Sequence, residues 1–219
     1  MNAVPPTIVP ILAMPLCIAS IPNAQQLNPS LCELFAQRMA ADSRPQNPLV
    51  FRSTDDLMDW QEASVRRLEE GVLAAVYSMV GSLNEFAEAQ LRSFRLQTRA
   101  WFTLVRTNGS VPAANYPLTS WCAIYCVSAP PLIEARADSG VVRLYESRLG
   151  TTFQDATNSM LRIPYRQSHC AWRPEAGKMV IFPASLTHEI ALMRAAGELI
   201  LVTVRLRFVA PGQQGFARW

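Results

Sequence analysis

The spacing of apolar residues changes near Thr98, and this change predicts the order of secondary structure. Before Thr98, apolar residues recur every three or four positions, as they do on one face of a helix. The clearest case spans 64–91, where the apolar stripe comprises Leu68, Val72, Val76, Met79, Leu83 and Phe86. After Thr98, short apolar or alternating runs are separated by Gly, Pro and Asn, which is typical of strands. The pattern therefore predicts helices first and short strands after them.

Two further helix starts precede the long predicted helix. Asn28 and Pro29 suit the N-cap and the first helical position, so we expect a helix over about 29–41. The residues at 53–56 are Ser, Thr, Asp and Asp, another helix start that leads to Trp60. The segment 4–21 is apolar but interrupted by prolines, and it lacks a positively charged start. We therefore expect a buried strand or two there, and neither a membrane-spanning helix nor a signal peptide.

The strand-like runs after Thr98 are 101–106, 121–127, 141–145, 179–182, 189–193 and 199–209. Helices followed by strands favour an α+β fold, with a barrel or sandwich backed by helices. We expect a single domain over 1–219, made of a helical support region at 1–98 and a jelly-roll core at 99–219. The helices near 29–41 and 64–91 should cover one side of the barrel.

Composition narrows the possible partners and the redox state. The net charge of +3 is too small to indicate nucleic acid or an anionic membrane as a partner. The five cysteines are odd in number and lack CxxC spacing. Cys122 and Cys126 should share one face of one strand, where they are poorly placed for a disulfide. We expect reduced, mostly buried thiols in a cytoplasmic protein, and we disfavour a thiol mechanism because buried strand cysteines are usually inert.

The segment 177–190 has the pattern most suggestive of a functional site. It opens with Gly177 and continues through an apolar run to Phe182 and Pro183. Small residues then lead to His188, which begins a second apolar run. This order is typical of a strand, a tight turn and a following strand. On position alone, His188 is either a ligand and catalytic group or a structural histidine.

The order of several segments resembles the iron(II)/2-oxoglutarate oxygenases of the small bacterial and phage type. The segments are Ile21-Pro22-Asn23, 27–31, 53–60, Trp101, Asn108-Gly109, 121–127, Ser139-Gly140, 144–148 and 177–190. The resemblance implies a double-stranded β-helix, which is a cupin-like jelly roll, and an oxidoreductase with dioxygenase-like chemistry in small-molecule biosynthesis. It also implies Fe(II) and 2-oxoglutarate as cofactors.

The ligand set that the resemblance implies is incomplete in this sequence. The family carries its first iron ligands in a loop that corresponds to 111–120, and that segment contains no His, Asp or Glu. The ligand positions fall near Ala114 and Tyr116, which leaves His188 as the matching metal ligand. Iron sites of this class need two His and a carboxylate on one face. A site rebuilt from His188 and His169 remains an alternative, whereas Glu189 should point away from His188.

The anion-binding residues implied by the resemblance are also displaced. The family's 2-oxoglutarate-binding Arg corresponds to a position near Leu201, but Arg205 shares the strand face of that residue. Arg205 either points into the same cavity or pairs with a surface acid. Arg148 matches an Arg of the family, and either binds a substrate carboxylate or is a solvated loop residue. We predict one pocket lined by Tyr116, Tyr125, His188, Thr203 and Arg205, although Tyr125 has the parity of an outward-facing residue.

Three classes of function are compatible with these residues. The first is an oxygenase-like protein with an atypical or degenerate metal site that acts on a small molecule. The second is a cofactor-independent isomerase, lyase or cyclase with His188 and Tyr116 as catalytic acid and base. The third is a non-catalytic binding or assembly protein on the same fold. The arginines favour an anionic or zwitterionic substrate, and the sequence leaves a homodimer open.

Overall fold

The computed structural model describes residues 13–45, 47–131, 137–145 and 169–212 of the chain. Its helices are α1 (Ala24–Ala41), α2 (Ala63–Leu83) and α3 (Glu88–Arg92), and a 3-10 turn spans Leu57–Asp59. Its strands are β1 (Cys17–Ser20), β2 (Val50–Arg52), β3 (Arg95–Arg106), β4 (Val111–Ala114), β5 (Trp121–Ser128), β6 (Val142–Tyr145), β7 (His169–Trp172), β8 (Lys178–Pro183), β9 (Thr187–Ile190) and β10 (Glu198–Val209).

The strands form two antiparallel sheets that face each other. One has the order β1-β8-β5-β10-β3-β2, and the other has the order β4-β9-β6-β7. From β3 onward, the chain crosses from one sheet to the other at every step except from β6 to β7, which is the strand order of a jelly roll. Strands β3, β10, β5 and β8 therefore lie together, and β4, β9, β6 and β7 lie opposite. The α+β double-stranded β-helix that the sequence predicts is confirmed.

Alternation along β10 separates two apolar cores. Val202 and Val204 belong to the core between the large sheet and the helices, whereas Leu199 and Leu201 belong to the core between the two sheets. The helix-side core includes a parallel ring stack of Phe35 on Phe102, with centroids 4.2 Å apart. Apolar residues of α2 at the predicted stripe positions are fully buried against this sheet, namely Leu68, Val72 and Val76. The helices therefore support one sheet and leave the barrel interior to the strands.

Helix α1 begins at Ala24, so the predicted start at Pro29 is wrong. Asn23 has a left-handed backbone with φ of 57°, and its carbonyl accepts from the backbone N–H groups of Gln26 and Leu27 at 2.9 and 3.1 Å. These bonds form the first helical turn. Pro29 lies inside the helix, and Asn28 is buried against the sheet.

The long predicted helix is divided in two. Asn84 ends α2, because its backbone N–H and its side-chain amide both donate to the carbonyl of Val80, at 3.1 and 2.9 Å. Phe86 then packs edge-on against Phe94 at 5.3 Å, away from the helical stripe. The helix expected from 53–56 is a single 3-10 turn, and none of the described helices is long and apolar enough to cross a membrane.

Three strands, β2, β4 and β7, were not expected from the sequence. Strand β2 pairs with β3. Strand β4 occupies the start of the segment 111–120, which was predicted to be a loop, and it pairs with β9. Strand β7 begins at His169 and pairs with β6. A strand was expected within 4–21, and β1 pairs there with β8 at one edge of the large sheet. Its expected burial is wrong, because as an edge strand its residues are half-buried or exposed.

Candidate functional site

His188 lies at the start of β9 and faces the space between the sheets. Its side chain is 7% exposed, and its ring centroid is 5.0 Å from that of Phe182. The ring atom Nδ1 lies 3.2 Å from the carbonyl oxygen of Leu186, and because a carbonyl only accepts, Nδ1 carries the proton. Burial lowers the pKa of His188, partly offset by this hydrogen bond. At neutral pH the imidazole is therefore uncharged, with a lone pair on Nε2.

Tyr116 packs edge-on against His188, with ring centroids 5.4 Å apart. Its backbone N–H donates to the carbonyl of Ala184 at 2.7 Å, which fixes the end of β4 against the turn before β9. Desolvation, with a smaller contribution from Cys122, raises the pKa of Tyr116 to about 12. The phenol is therefore protonated at neutral pH and can donate a hydrogen bond beside the imidazole.

Arg205 completes a row of three side chains. Its guanidinium carbon lies 4.9 Å from the Tyr116 ring centroid and 5.4 Å from that of Trp101. Its Nη2 lies 3.3 Å from Oδ2 of Asp55, and its side chain is 17% exposed. Thr203 lies two positions deeper on the same strand and is buried. Arg205 shares the inner face of β10, as expected, and it also pairs with Asp55. We call the end of the barrel formed by Asp55, Trp101, Tyr116 and Arg205 the mouth.

The residues around His188 do not fit an iron(II) site of the two-His, one-carboxylate type. Ala114 is the register partner of His188 on β4, and Tyr116 follows it. Ala has no donor atom, and a neutral phenol is a poor ligand for iron(II). Across the described residues, no group of three or more His, Cys, Asp and Glu side chains could hold a metal ion.

The second histidine does not complement the first. His169 pairs in register with Tyr145, which pairs with Thr187, whereas His188 pairs with Leu144. His169 and His188 therefore point to opposite faces of the four-stranded sheet, and the alternative of a site built from both is wrong. Glu189 also points outward, as predicted, where it accepts from Arg143 at 3.0 Å and from the Tyr145 hydroxyl at 2.7 Å.

Tyr125 does not line the barrel interior, so its place in the predicted pocket is wrong. It lies in the helix-side core, and its hydroxyl donates to Oδ1 of the buried Asn28 at 2.6 Å. Strand parity groups Tyr125 with Ala123 and Val127, so an orientation away from the barrel interior had remained possible. All three residues lie in the helix-side core. Arg148 lies outside the described residues.

Sequence reasoning missed the contribution of Arg52, Asp55 and Trp101 to the mouth. The guanidinium of Arg52 lies 4.3 Å from the Trp101 ring centroid, and its Nη2 is 2.8 Å from Oδ1 of Asp55. Asp55 therefore contacts both Arg52 and Arg205. Strand parity could have indicated the orientation of Arg52. Phe51 beside it is apolar and lies in the helix-side core, so Arg52 must face the other side of the sheet. The approach of Asp55 to β10 depends on the loop after β2 and has no local signal.

Deeper in the barrel, the interior is buried and mostly apolar. Cys126, Val180 and Leu201 are each at most 1% exposed, and all three belong to the core between the sheets. Cys122 lies beside Arg205 in the register of β5 and β10. Burial raises the pKa of Cys126 to about 12, and burial also raises that of Cys122. These thiols are un-ionised, as expected of inert core cysteines.

Comparison with known proteins places the fold. No protein-family model and no curated protein matches the sequence. Among solved structures, HygX from Streptomyces hygroscopicus, with nickel and 2-oxoglutarate bound, shares 10% identity at a TM-score of 0.59, over 94% of this chain and 86% of that one. A prolyl-4-hydroxylase from Pseudomonas putida shares 12% identity at a TM-score of 0.57, over 88% of this chain and 91% of that one.

A third similar structure has a different activity on the same scaffold. It is SnoK, a non-haem 2-oxoglutarate-dependent carbocyclase from nogalamycin biosynthesis. SnoK shares 9% identity at a TM-score of 0.59, over 92% of this chain and 84% of that one. The fold is therefore the double-stranded β-helix of the iron(II)/2-oxoglutarate oxygenases, in agreement with the resemblance seen in the sequence.

Proposed function

We propose that this protein acts on an anionic or zwitterionic small molecule at the barrel mouth, in an oxygenase-type barrel whose iron site is degenerate. The observation that carries the proposal is the row His188–Tyr116–Arg205, with successive separations of 5.4 and 4.9 Å. A neutral imidazole, a protonated phenol and a guanidinium can serve as base, hydrogen-bond donor and anion clamp in proton-transfer chemistry on an anionic substrate.

Each side chain has a role that its environment supports. Nε2 of His188 would accept a proton from a carbon next to a carbonyl group, since Nδ1 already carries a proton. The hydroxyl of Tyr116 would donate to the oxygen on which negative charge develops. Arg205 would hold the anionic end of the substrate beside these groups. An isomerisation, an elimination or a cyclisation would follow from such a proton transfer.

Iron and 2-oxoglutarate do not enter this scheme. The register partner of His188 is Ala114, and the register partners of Leu201, which are Thr103 and Cys126, are buried and uncharged. The described part of the barrel therefore supplies neither the ligand triad nor a cation at the position where the family binds 2-oxoglutarate. The chemistry is assigned to the chain's own side chains for that reason.

A binding or assembly protein without catalysis is the second candidate. The observation in its favour is the buried, mostly apolar interior, where Ile124, Cys126 and Val180 are each at most 2% exposed. A substrate would be restricted to the outermost layer of the barrel, near Tyr116 and Arg205. In this case His188 would be a structural residue held between Phe182 and Tyr116.

The two candidates differ in a metal-free proton-exchange assay. Pyruvate and 2-oxoglutarate would be incubated with the protein in deuterated buffer containing EDTA, and loss of the proton signal next to the ketone would be followed by NMR. We expect exchange above the buffer rate in the wild type and in His169→Gln, and loss of it in His188→Gln. Binding without exchange would support the binding protein, and exchange that survives His188→Gln would contradict the proposed base.

A further inference from the structure

We propose that Arg52 and Arg205 form a two-arginine subsite for an oxyanion, and that Asp55 occupies this subsite as a built-in competitor. The inference deepens the proposed function, because it concerns the anion that would bind at the same mouth. It names the charged group of the ligand, which is a carboxylate or a phosphate, and the residue that controls access to it.

Asp55 bridges the two arginines with separate oxygens. Oδ1 lies 2.8 Å from Nη2 of Arg52, and Oδ2 lies 3.3 Å from Nη2 of Arg205. A guanidinium presents its N–H groups in a fixed planar fork that suits carboxylate and phosphate oxygens. A ligand carboxylate in the same place would accept from both arginines through the same geometry, so the side chain of Asp55 marks the position of an oxyanion.

Trp101 holds both arginines in place independently of Asp55. The guanidinium carbons of Arg52 and Arg205 lie 4.3 and 5.4 Å from its ring centroid, within the range of cation–π attraction. Arg52 is on β2 and Arg205 is on β10, on either side of β3, which carries Trp101. The subsite therefore stays assembled when the carboxylate of Asp55 leaves it.

Displacement of Asp55 requires little rearrangement. The side chains of Arg52 and Asp55 are 48% and 39% exposed, and ion pairs at such positions contribute little to stability. The backbone of Asp55 is held separately, since its carbonyl accepts from the N–H of Ala100 at 3.1 Å. The carboxylate can rotate into solvent while the loop stays attached to β3.

The position of the subsite defines how the ligand would lie. Arg205 contacts the Tyr116 ring, and Tyr116 contacts His188, so an oxyanion on Arg205 places the adjoining carbons toward the phenol and the imidazole. The ligand is thus a small molecule with a carboxylate or phosphate at one end and a reactive carbon a few bonds away. Asp55 would exclude anions that cannot compete with it.

The test is the binding of succinate and of inorganic phosphate, measured by calorimetry at low salt. We expect Asp55→Asn to tighten binding about tenfold, because it removes a competing charge from the subsite. Asp59→Asn removes the same charge from the exposed turn nearby and should leave affinity unchanged. Arg52→Gln and Arg205→Gln should each weaken binding, also in the Asp55→Asn background. The preferred probe distinguishes a carboxylate ligand from a phosphate ligand.

Equal effects of Asp55→Asn and Asp59→Asn would overturn the inference, as would the absence of binding of both probes to every variant. Thermal unfolding of each variant checks that the loop remains folded. The proton-transfer proposal depends on His188 and is tested by the exchange assay. An absence of exchange would leave the calorimetric result for Asp55→Asn unaffected, and an absence of tighter binding in Asp55→Asn would leave the exchange result unaffected.

Discussion

The ring of Tyr116 lies between His188 and Arg205, 5.4 Å from the imidazole centroid and 4.9 Å from the guanidinium carbon. In the iron-dependent relatives implied by the sequence resemblance, the corresponding loop supplies metal ligands. Here a phenol occupies that position, and its ring contacts both His188 and Arg205. Under the proposed function, this change leaves the mouth suited to proton transfer and anion binding instead of metal coordination.

Arg205→Ala should weaken the binding of succinate by about 2 kcal/mol, because it removes a charged hydrogen-bonding partner at a largely buried position. The free energy of unfolding should change much less, since the ion pair with Asp55 is partly exposed. Calorimetry and denaturant unfolding measure the two effects. Arg66→Ala, on the exposed side of α2, removes the same charge and should leave succinate binding as it is. Equal losses in both variants would indicate a general charge effect.

Gly177→Ala should destabilise the protein by about 1–3 kcal/mol, because Gly177 has a positive φ and a close neighbour. Its φ is +86°, and a Cβ on it would lie 2.7 Å from the Cβ of Ala24. Gly81→Ala is the matched control: it lies within α2, its new Cβ would meet Leu91 at an ordinary 3.7 Å, and it should be neutral or stabilising. Chemical denaturation compares the two, and a neutral Gly177→Ala would show that the turn before β8 can adjust.

The folded state should lose stability as the pH falls below the ordinary value of 6.5 for histidine, because the pKa of buried His188 is lowered. Below pH 6.5 the unfolded chain protonates this histidine, whereas the folded chain does so only at its lowered pKa. The free energy of unfolding is therefore at its full value above pH 6.5 and decreases as the pH falls toward the folded pKa. Denaturant unfolding at several pH values would show this slope. The slope should be smaller in His188→Gln than in the wild type. An unchanged slope in His188→Gln would contradict the buried, neutral assignment.

Tyr125→Phe should cost about 1–2 kcal/mol of unfolding free energy, because the buried amide oxygen of Asn28 would lose its donor. Succinate binding should not change, since Tyr125 faces the helices. Tyr116→Phe should show the opposite pattern, with a smaller stability change and a loss of proton exchange. Calorimetric unfolding and the exchange assay separate the two tyrosines, and a binding defect in Tyr125→Phe would mean that the helix-side core also shapes the mouth.

Most of the strands could be predicted because side-chain alternation and turn residues are local signals, whereas their arrangement in a double-stranded β-helix was implied by the family resemblance. The inner face of β10 with Leu201, Thr203 and Arg205, and the shared face of Cys122 and Cys126, followed from strand parity alone. The helix ends were harder to predict. Asn28 and Pro29 have the local signature of a helix start, but the first turn is formed earlier, by hydrogen bonds to the carbonyl of Asn23, and Asn28 lies inside the helix under Tyr125.

The mouth could be predicted only in part. His188 and Arg205 are each recognisable from the pattern of their own strand. Asp55 and Arg52 meet Arg205 through contacts between distant segments, and a single sequence contains no signal for such contacts. Tyr125 was misplaced because the resemblance suggested a pocket where strand parity indicated the opposite face.

The most direct test of the degenerate metal site is anaerobic titration of the metal-free wild-type protein with iron(II), followed by a succinate assay with 2-oxoglutarate and oxygen. The account predicts no stoichiometric iron binding at micromolar metal, no conversion of 2-oxoglutarate to succinate, and the same result for His188→Ala. Stoichiometric iron in the wild type, lost in His188→Ala and accompanied by succinate formation, would contradict the account and identify His188 as a ligand in a working oxygenase.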